Sequence, residues 1–216
     1  ASSGRTADLS RRHKVARSRS GVVTITGGKL TTYREMAADT VDAVVDDVLT
    51  IRPGSTQVGK SVTKNLRLRG TDGFDTLDSA ASVYPSVPAG LREHLGGRYG
   101  GEARLLMAAI AEDPSLGEPL VAGLPYVRAE ALFAVRHEMA TSVDDVLSRR
   151  TRARLFGRDD SGDAAEAVAE LIAEELGWSA DDAAASVAAY RAGLVHERDA
   201  AGLPETHLAD LVKTGA

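Results

Sequence analysis

The chain has 216 residues, with 26 Lys and Arg against 31 Asp and Glu, a net charge of −5 and no cysteine. The acidic balance argues against a general nucleic-acid binder. The absence of cysteine excludes a disulfide framework, a thiolate zinc site and a cysteine nucleophile. The length suffices for one or two domains with a sizeable core. No apolar run approaches membrane-spanning length and no signal-peptide pattern is visible, so a cytoplasmic setting is expected.

Residues 1–20 are polar and basic, with Arg5, Arg11, Arg12, Lys14, Arg17 and Arg19 close together. Composition allows a solvated loop or exposed β-edge, or an anion site in which guanidinium groups bind phosphate oxygens bidentately. His13 stands among them; a lone histidine is more often structural than catalytic. The apolar run Val22-Val23-Thr24-Ile25-Thr26 then leads into Gly27-Gly28-Lys29-Leu30-Thr31-Thr32-Tyr33-Arg34. That order reads as buried strand, tight glycine turn and helix. Thr32 and Glu35 have capping-box spacing. Tyr33, Met36, Ala37, Thr40, Val41, Val44 and Val48 fall on one helical face. The glycines allow a sharp turn and a close ligand approach. Lys29 and the free N–H groups of the first helical turn favour an electron-rich group above it. The spacing of a P-loop is absent.

The helix is expected to stop before Arg52-Pro53-Gly54. Residues 51–80 read as a connecting segment with a short strand near 61–68 and a solvated basic character from Lys60, Lys64, Arg67 and Arg69. From about residue 81 the pattern is helical. A short helix over 91–95 is expected to break at Gly96-Gly97-Arg98-Tyr99-Gly100-Gly101, a cluster better suited to a helix–helix turn than to a phosphate cradle. Further helices are expected over 102–111, 128–139, from 143, over 164–176 and from 180 to about 200. In the second of these, Leu132, Val135 and Met139 make a core stripe. Ser142 with Asp145, and Ser179 with Asp182, are two further capping boxes. Val146, Leu147 and Leu155 are expected to point inward. Arg149, Arg150, Arg152 and Arg154 suit a helix C-terminus, at about 0.3–1 kcal/mol each when exposed; a docking surface for other protein or anionic lipid is the functional alternative. Residues 157–162 read as a polar turn, Val187, Tyr190 and Leu194, with Val195 at the margin, as an apolar face, and the tail after Gly202-Leu203-Pro204 as frayed. No His-Glu-x-x-His motif or Gly-x-Ser-x-Gly elbow occurs, and no metal site is expected.

The octet 27–34 with Glu35-Met36-Ala37, together with Ser10-Arg11-Arg12-His13, resembles the FAD-dependent glycerol-3-phosphate dehydrogenases of the aerobic respiratory type, within the D-amino-acid-oxidase-like flavoproteins. The similarity runs to about Leu155. The resemblance implies a C-terminal part of a longer protein, since the Gly-x-Gly-x-x-Gly turn for the FAD pyrophosphate is missing. It implies a mainly α chain: 1–50 as the closing strand-turn-helix of an α/β FAD-binding and substrate domain, 51–80 as a connection, and 81–216 as a C-terminal helical domain. It implies that Gly27, Gly28, Lys29, Leu30, Thr31 and Thr32 lie against the pyrimidine side of the flavin. Arg11 would hold the phosphate of glycerol 3-phosphate, and Lys29 would serve flavin, substrate or both. The implied partners are a quinone as electron acceptor and the missing N-terminal part, with a peripheral membrane contact. A glycerol-phosphate oxidase using oxygen and a non-catalytic helical interaction module are the alternatives.

Overall fold

The computed structural model describes residues 13–51 and 58–214, apart from the side chains of 48–51, 78–81 and 212–214. Its contacts divide the chain into two compact units, 1–68 and 69–216.

In the first unit, β1 (Lys14–Arg17) pairs antiparallel with β2 (Val23–Thr26), Lys14 opposite Thr26 and Arg17 opposite Val23. Gly21 turns between them at φ +87°. Val23 and Ile25 are half-buried while Thr24 and Thr26 face solvent, the alternation a one-faced strand requires. The strand is therefore not the buried one expected, and Val22 before it is exposed. A 3₁₀ turn at Leu30–Thr32 passes into α1 (Tyr33–Ile51). The apolar face of α1 is largely open, with Tyr33 59 % and Val41 56 % exposed. No described side chain of this unit is fully buried. Residues 58–68 follow as extended chain and turns, without the strand expected near 61–68.

The second unit is helical and holds two apolar clusters. After a 3₁₀ turn (Phe74–Ser79) come α2 (Ala80–Val83), α3 (Ala89–Tyr99) and α4 (Ala103–Glu112). α3 runs through Gly96-Gly97, which sequence reading took for the break; the break comes at Gly100, in the left-handed region at φ +57°. A side chain at Gly101 would strike the Asp72 carbonyl oxygen, at 1.7 Å from its Cβ, and the Gly101 N–H donates to the Gly70 carbonyl at 2.7 Å. The cluster is thus a corner against which residues 70–73 lie backbone to backbone.

α5 (Arg128–Glu138) stands between the clusters. Its Ala129 and Phe133 join Val87, Leu95, Leu106, Met107 and Ile110, while Ala131 and Ala134 join Val146, Leu147, Val168, Ile172, Tyr190 and Leu194. Of the expected Leu132–Val135–Met139 stripe, Leu132 and Val135 are partly buried against the two clusters and Met139 is not. Met139 ends α5 in the left-handed conformation and is 84 % exposed. A π-helical segment follows (Asp145–Arg150), then α6 (Ala153–Phe156), which Arg152 opens at φ +61°. The wider winding and the left-handed residue shift the helical phase, so Leu155 faces solvent while Val146 and Leu147 point inward. Residues 157–162 belong largely to a short helix, α7 (Arg158–Asp163), rather than a turn. α8 (Ala165–Leu176) and α9 (Ala180–Ala201) form the expected pair, and the tail carries α10 (Leu208–Thr214) where fraying was expected.

Of the two expected capping boxes of this unit, the one at Ser179 forms in full and the one at Ser142 only in half, because the Asp145 carboxylate binds the Thr141 rather than the Ser142 amide. The Ser179 N–H donates to the Asp182 carboxylate at 2.9 Å, and the Asp182 N–H to the Ser179 hydroxyl at 3.2 Å. At the other, the Asp145 N–H reaches the Ser142 hydroxyl at 3.0 Å, while the Asp145 carboxylate receives the Thr141 N–H at 3.0 Å.

Candidate functional site

The turn at 27–32 places its backbone on the outside of the first unit. Gly27 and Gly28 have φ of +77° and +81°, which an L side chain resists. A Cβ on Gly28 would also lie 2.4 Å from the Met36 sulfur. The turn therefore folds back onto the first turn of α1, where the flexible Met36 side chain lies against Gly28 and the positive φ is what calls for glycine.

Lys29 is extended at φ −135° and ψ 161°. The Thr32 hydroxyl accepts the Lys29 N–H at 3.1 Å and donates to the Lys29 carbonyl at 3.0 Å, and the Thr32 N–H donates to the same carbonyl at 3.0 Å. These bonds fix the turn. They also correct the expected Thr32–Glu35 box: the helical run begins one turn earlier, at Leu30, so Thr32 reaches backward to Lys29. The amides of Leu30 and Thr31 open that run, where N–H groups have no intrahelical acceptor. Lys29, Leu30 and Thr31 are exposed, Leu30 at 87 %. No ion pair to the Lys29 amine occurs among the described residues. A fixed turn thus presents a bare backbone, opening amides and a free cation.

The start of the described chain is tied to α1 by a hydrogen bond of His13, just before β1, to Asp39 and by an ion pair of Arg17 in β1 to Asp47, each at 2.6 Å. His13 thus binds across to the helix, a role with no local sequence signal because its partner lies 26 residues on. Arg11, Arg5 and Arg12 lie outside the described residues. Beside the turn, Tyr33, Ala37 and Val41 of α1 and Val62, Leu66 and Leu68 line an open apolar groove of about 550 Å³.

The densest polar cluster of the second unit is a different object. Glu130 is wholly buried at the start of α5. One carboxylate oxygen receives His94 Nε2 at 2.8 Å and the Val127 N–H at 3.1 Å. The other receives Arg98 Nε at 2.9 Å and the Tyr99 hydroxyl at 2.8 Å. Burial and the Glu130 charge push the Tyr99 hydroxyl far above its usual range. Burial opposes the Arg98 charge most strongly, and Glu130 with Tyr99 and Tyr126 together outweigh it. Both oxygens are saturated, so the cluster locks α3 to α5 and leaves no position for a substrate.

The terminal arginines are similarly engaged. Arg149 pairs with Asp144 and Asp145, Arg150 donates to the Glu138 carbonyl, and Arg154 grips Glu197 at 2.6 Å. Arg149 is held by carboxylates at the start of its own segment, Arg150 by a carbonyl of α5 and Arg154 by a carboxylate of α9, rather than by the end of their own helix. Among the described residues there is no group of metal-ligating side chains, and no helix long and apolar enough to cross a membrane.

Residues 61–183, more than half of the chain, match the sequence profile of the C-terminal domain of alpha-glycerophosphate oxidase. The chain belongs to this family. It is 36% identical over 215 residues to glycerol-3-phosphate dehydrogenase 2 of Mycobacterium tuberculosis, covering 98% of this chain and 36% of that protein. It is 44% identical over 157 residues to glycerol-3-phosphate dehydrogenase 1 of the same organism, covering 72% of this chain and 28% of that protein. A crystal structure of the glycerol-3-phosphate dehydrogenase from Bacillus halodurans complexed with FAD superimposes with a TM-score of 0.63 at 28% identity, over 84% of this chain and 36% of that one. The chain thus spans about a third of the length of the curated relatives it matches. Family membership rests on 61–183, whereas the turn at 27–32 lies before that stretch.

Proposed function

We propose that this chain forms the C-terminal part of an FAD-dependent glycerol-3-phosphate dehydrogenase, which oxidises sn-glycerol 3-phosphate to dihydroxyacetone phosphate and passes the electrons to a quinone. The observation that carries the reading is the turn at 27–32, in a chain whose relatives are named for this reaction and one of whose structural neighbours holds FAD. Its glycines, exposed cation and opening amides fit an electron-rich ring edge. Bound at this turn, FAD would supply the hydride acceptor for oxidation at substrate C2. Gly27, Gly28, Lys29, Leu30, Thr31 and Thr32 would hold the flavin, the glycines by leaving the approach clear and Lys29 by supplying positive charge. Arg11 would bind the substrate phosphate.

The open face of α1 and its groove support a further part of the proposal: residues 1–50 close a FAD-binding and substrate domain whose remainder covers that face, 51–80 connect, and 81–216 form a helical domain. The enzyme is placed in the cytoplasm, in peripheral contact with the membrane that holds the quinone. The sequence carries no Gly-x-Gly-x-x-Gly motif for the FAD pyrophosphate, so the chain by itself is expected to quench FAD fluorescence little on titration; a tight stoichiometric complex would contradict this.

The family's description as an oxidase favours a second reading, with oxygen as the acceptor. One experiment tests both. The full-length enzyme carrying this sequence is given glycerol 3-phosphate with and without a soluble quinone. Quinone-dependent turnover supports the dehydrogenase, hydrogen peroxide without quinone supports the oxidase, and no substrate-dependent flavin reduction would overturn both.

A further inference from the structure

The C-terminal segment is seated on α7 by an arrangement more specific than a packed tail. The Thr206 N–H donates to Asp159 at 2.8 Å, and the Leu208 N–H to Asp160 at 3.0 Å. Arg158, itself paired with Asp159, donates to the Pro204 carbonyl at 2.7 Å. Leu208 rests on bare backbone: a Cβ on Gly157 would lie 2.9 Å from the Leu208 Cδ1, and one on Gly123 3.4 Å from the same atom. Gly157 has φ −151°, which any residue adopts, so glycine there is explained by the space Leu208 takes. A cleft of about 200 Å³ remains between the segment and α7.

His207 sits between these two anchor residues. Its Nδ1 is 3.7 Å from both Asp160 and Asp163 of α7, and its Nε2 is 3.4 Å from Glu205 of its own segment. Of the cations nearby, Arg158 is turned to Asp159, while Arg198 lies 3.5 Å from Glu205 and offsets part of that carboxylate's charge. Three carboxylates therefore face the imidazole.

We propose that the segment 203–214 is a detachable latch, seated by Leu208 against Gly157 and Gly123 and locked by the His207 imidazolium among Asp160, Asp163 and Glu205. Acid tightens it and alkali loosens it. When the ring is neutral, Asp160 and Asp163 lose the cation between them, and the amide bonds, the Arg158 bond to Pro204 and Leu208 remain. The Glu205 hydrogen bond, then Asp160 and Asp163, raise the His207 pKa above 6.5. A raised pKa in the closed state means the lock is complete below the free-histidine value and is lost as pH rises through the closed-state value. Opening exposes the cleft beside Phe156 and Gly157.

Hydrogen exchange of the 216-residue chain, followed by mass spectrometry between pH 5.5 and 8.5 and corrected for intrinsic exchange, tests this. Protection of the peptide holding Thr206 and Leu208 is expected to fall as pH rises, while that of α8 stays constant. In His207→Gln the fall should vanish. In Gly157→Val, where the new side chain displaces Leu208, protection of the tail should be lost at every pH with α8 unchanged. Constant tail protection in the wild type, an unaltered pH dependence in His207→Gln, or a fully protected tail in Gly157→Val would each overturn the latch.

Discussion

At the scale of single residues, the strongest commitments are made by side chains that local sequence does not single out. Glu130 looks like any first-turn acid of α5, and its spacing before Arg136 and His137 suggests a solvated face. Its three side-chain partners, His94, Arg98 and Tyr99, lie more than 30 residues away. Only the fold brings them together, which is why sequence reading left Glu130 unremarked. Replacing it with Ala would leave the half-buried Arg98 without its carboxylate and the Val127 N–H without an acceptor. The expected cost is about 3 kcal/mol, read as a lower urea midpoint with an unchanged slope; a loss within about 0.5 kcal/mol, the range of ordinary surface substitutions, would show that the cluster is not a lock. Glycine shows the reverse case. Gly27-Gly28 was legible as a turn, but the contact of Gly28 with Met36 was not, since it depends on how far the turn folds back onto α1.

At the scale of elements, what was legible followed periodicity and caps. The β2–turn–α1 unit, α4, α5, α8 and α9 lie close to where apolar spacing and stop signals put them. The misses share one cause, tertiary packing that overrides local preference. Gly96 and Gly97 cost helix propensity of about 1 kcal/mol each, yet α3 continues through them because Leu95 is buried and Arg98 and Tyr99 bind Glu130. The π-helical segment has the apolar spacing of an ordinary helix, so nothing in its sequence announced the phase shift that exposes Leu155. Its start is pinned by Asp145. Burial works to raise that carboxyl, and the Thr141 N–H with the Ser142 and Thr141 hydroxyls outweighs it, so the group lies below its ordinary value. A depressed pKa in the folded state gives stability that is complete above about pH 4 and lost as pH falls through the folded value. Asp145→Asn should therefore lower the melting temperature at pH 7 and flatten its decline between pH 5 and pH 2. An equal decline in both proteins would remove Asp145 from the account.

At the scale of the whole molecule, the two units differ in what they need. The second has two apolar clusters with fully buried members, and its edge is closed by Gly70 against Gly101 and by Arg69 against Glu102 at 2.6 Å. Residues 69–216 are therefore expected to fold alone, with a helical circular-dichroism spectrum and one cooperative melt; a featureless coil would contradict this. The first unit has an apolar helix face and no fully buried described side chain, the mark of a piece that packs against something else. The family was legible because the octet at 27–34 is a specific pattern, and the profile match over 61–183 bears out the resemblance. Of the candidate site, the glycine turn itself was legible as a turn. The turn's residues are local in sequence, whereas the phosphate-binding role assigned to Arg11 falls outside the described residues.

The measurement that bears most directly on the proposed flavin-facing turn is the flavin midpoint potential of Lys29→Ala in the full-length enzyme, with stopped-flow reduction by glycerol 3-phosphate beside Arg11→Ala. Reduced flavin gains negative charge, so removing a cation at the turn should make the potential more negative and slow the limiting rate of reduction. Arg11→Ala should instead raise KM more than it lowers kcat, because the phosphate does not change during hydride transfer. An unchanged potential and limiting rate in Lys29→Ala, with only the substrate dependence shifted, would place Lys29 in the substrate pocket and contradict the flavin-facing turn.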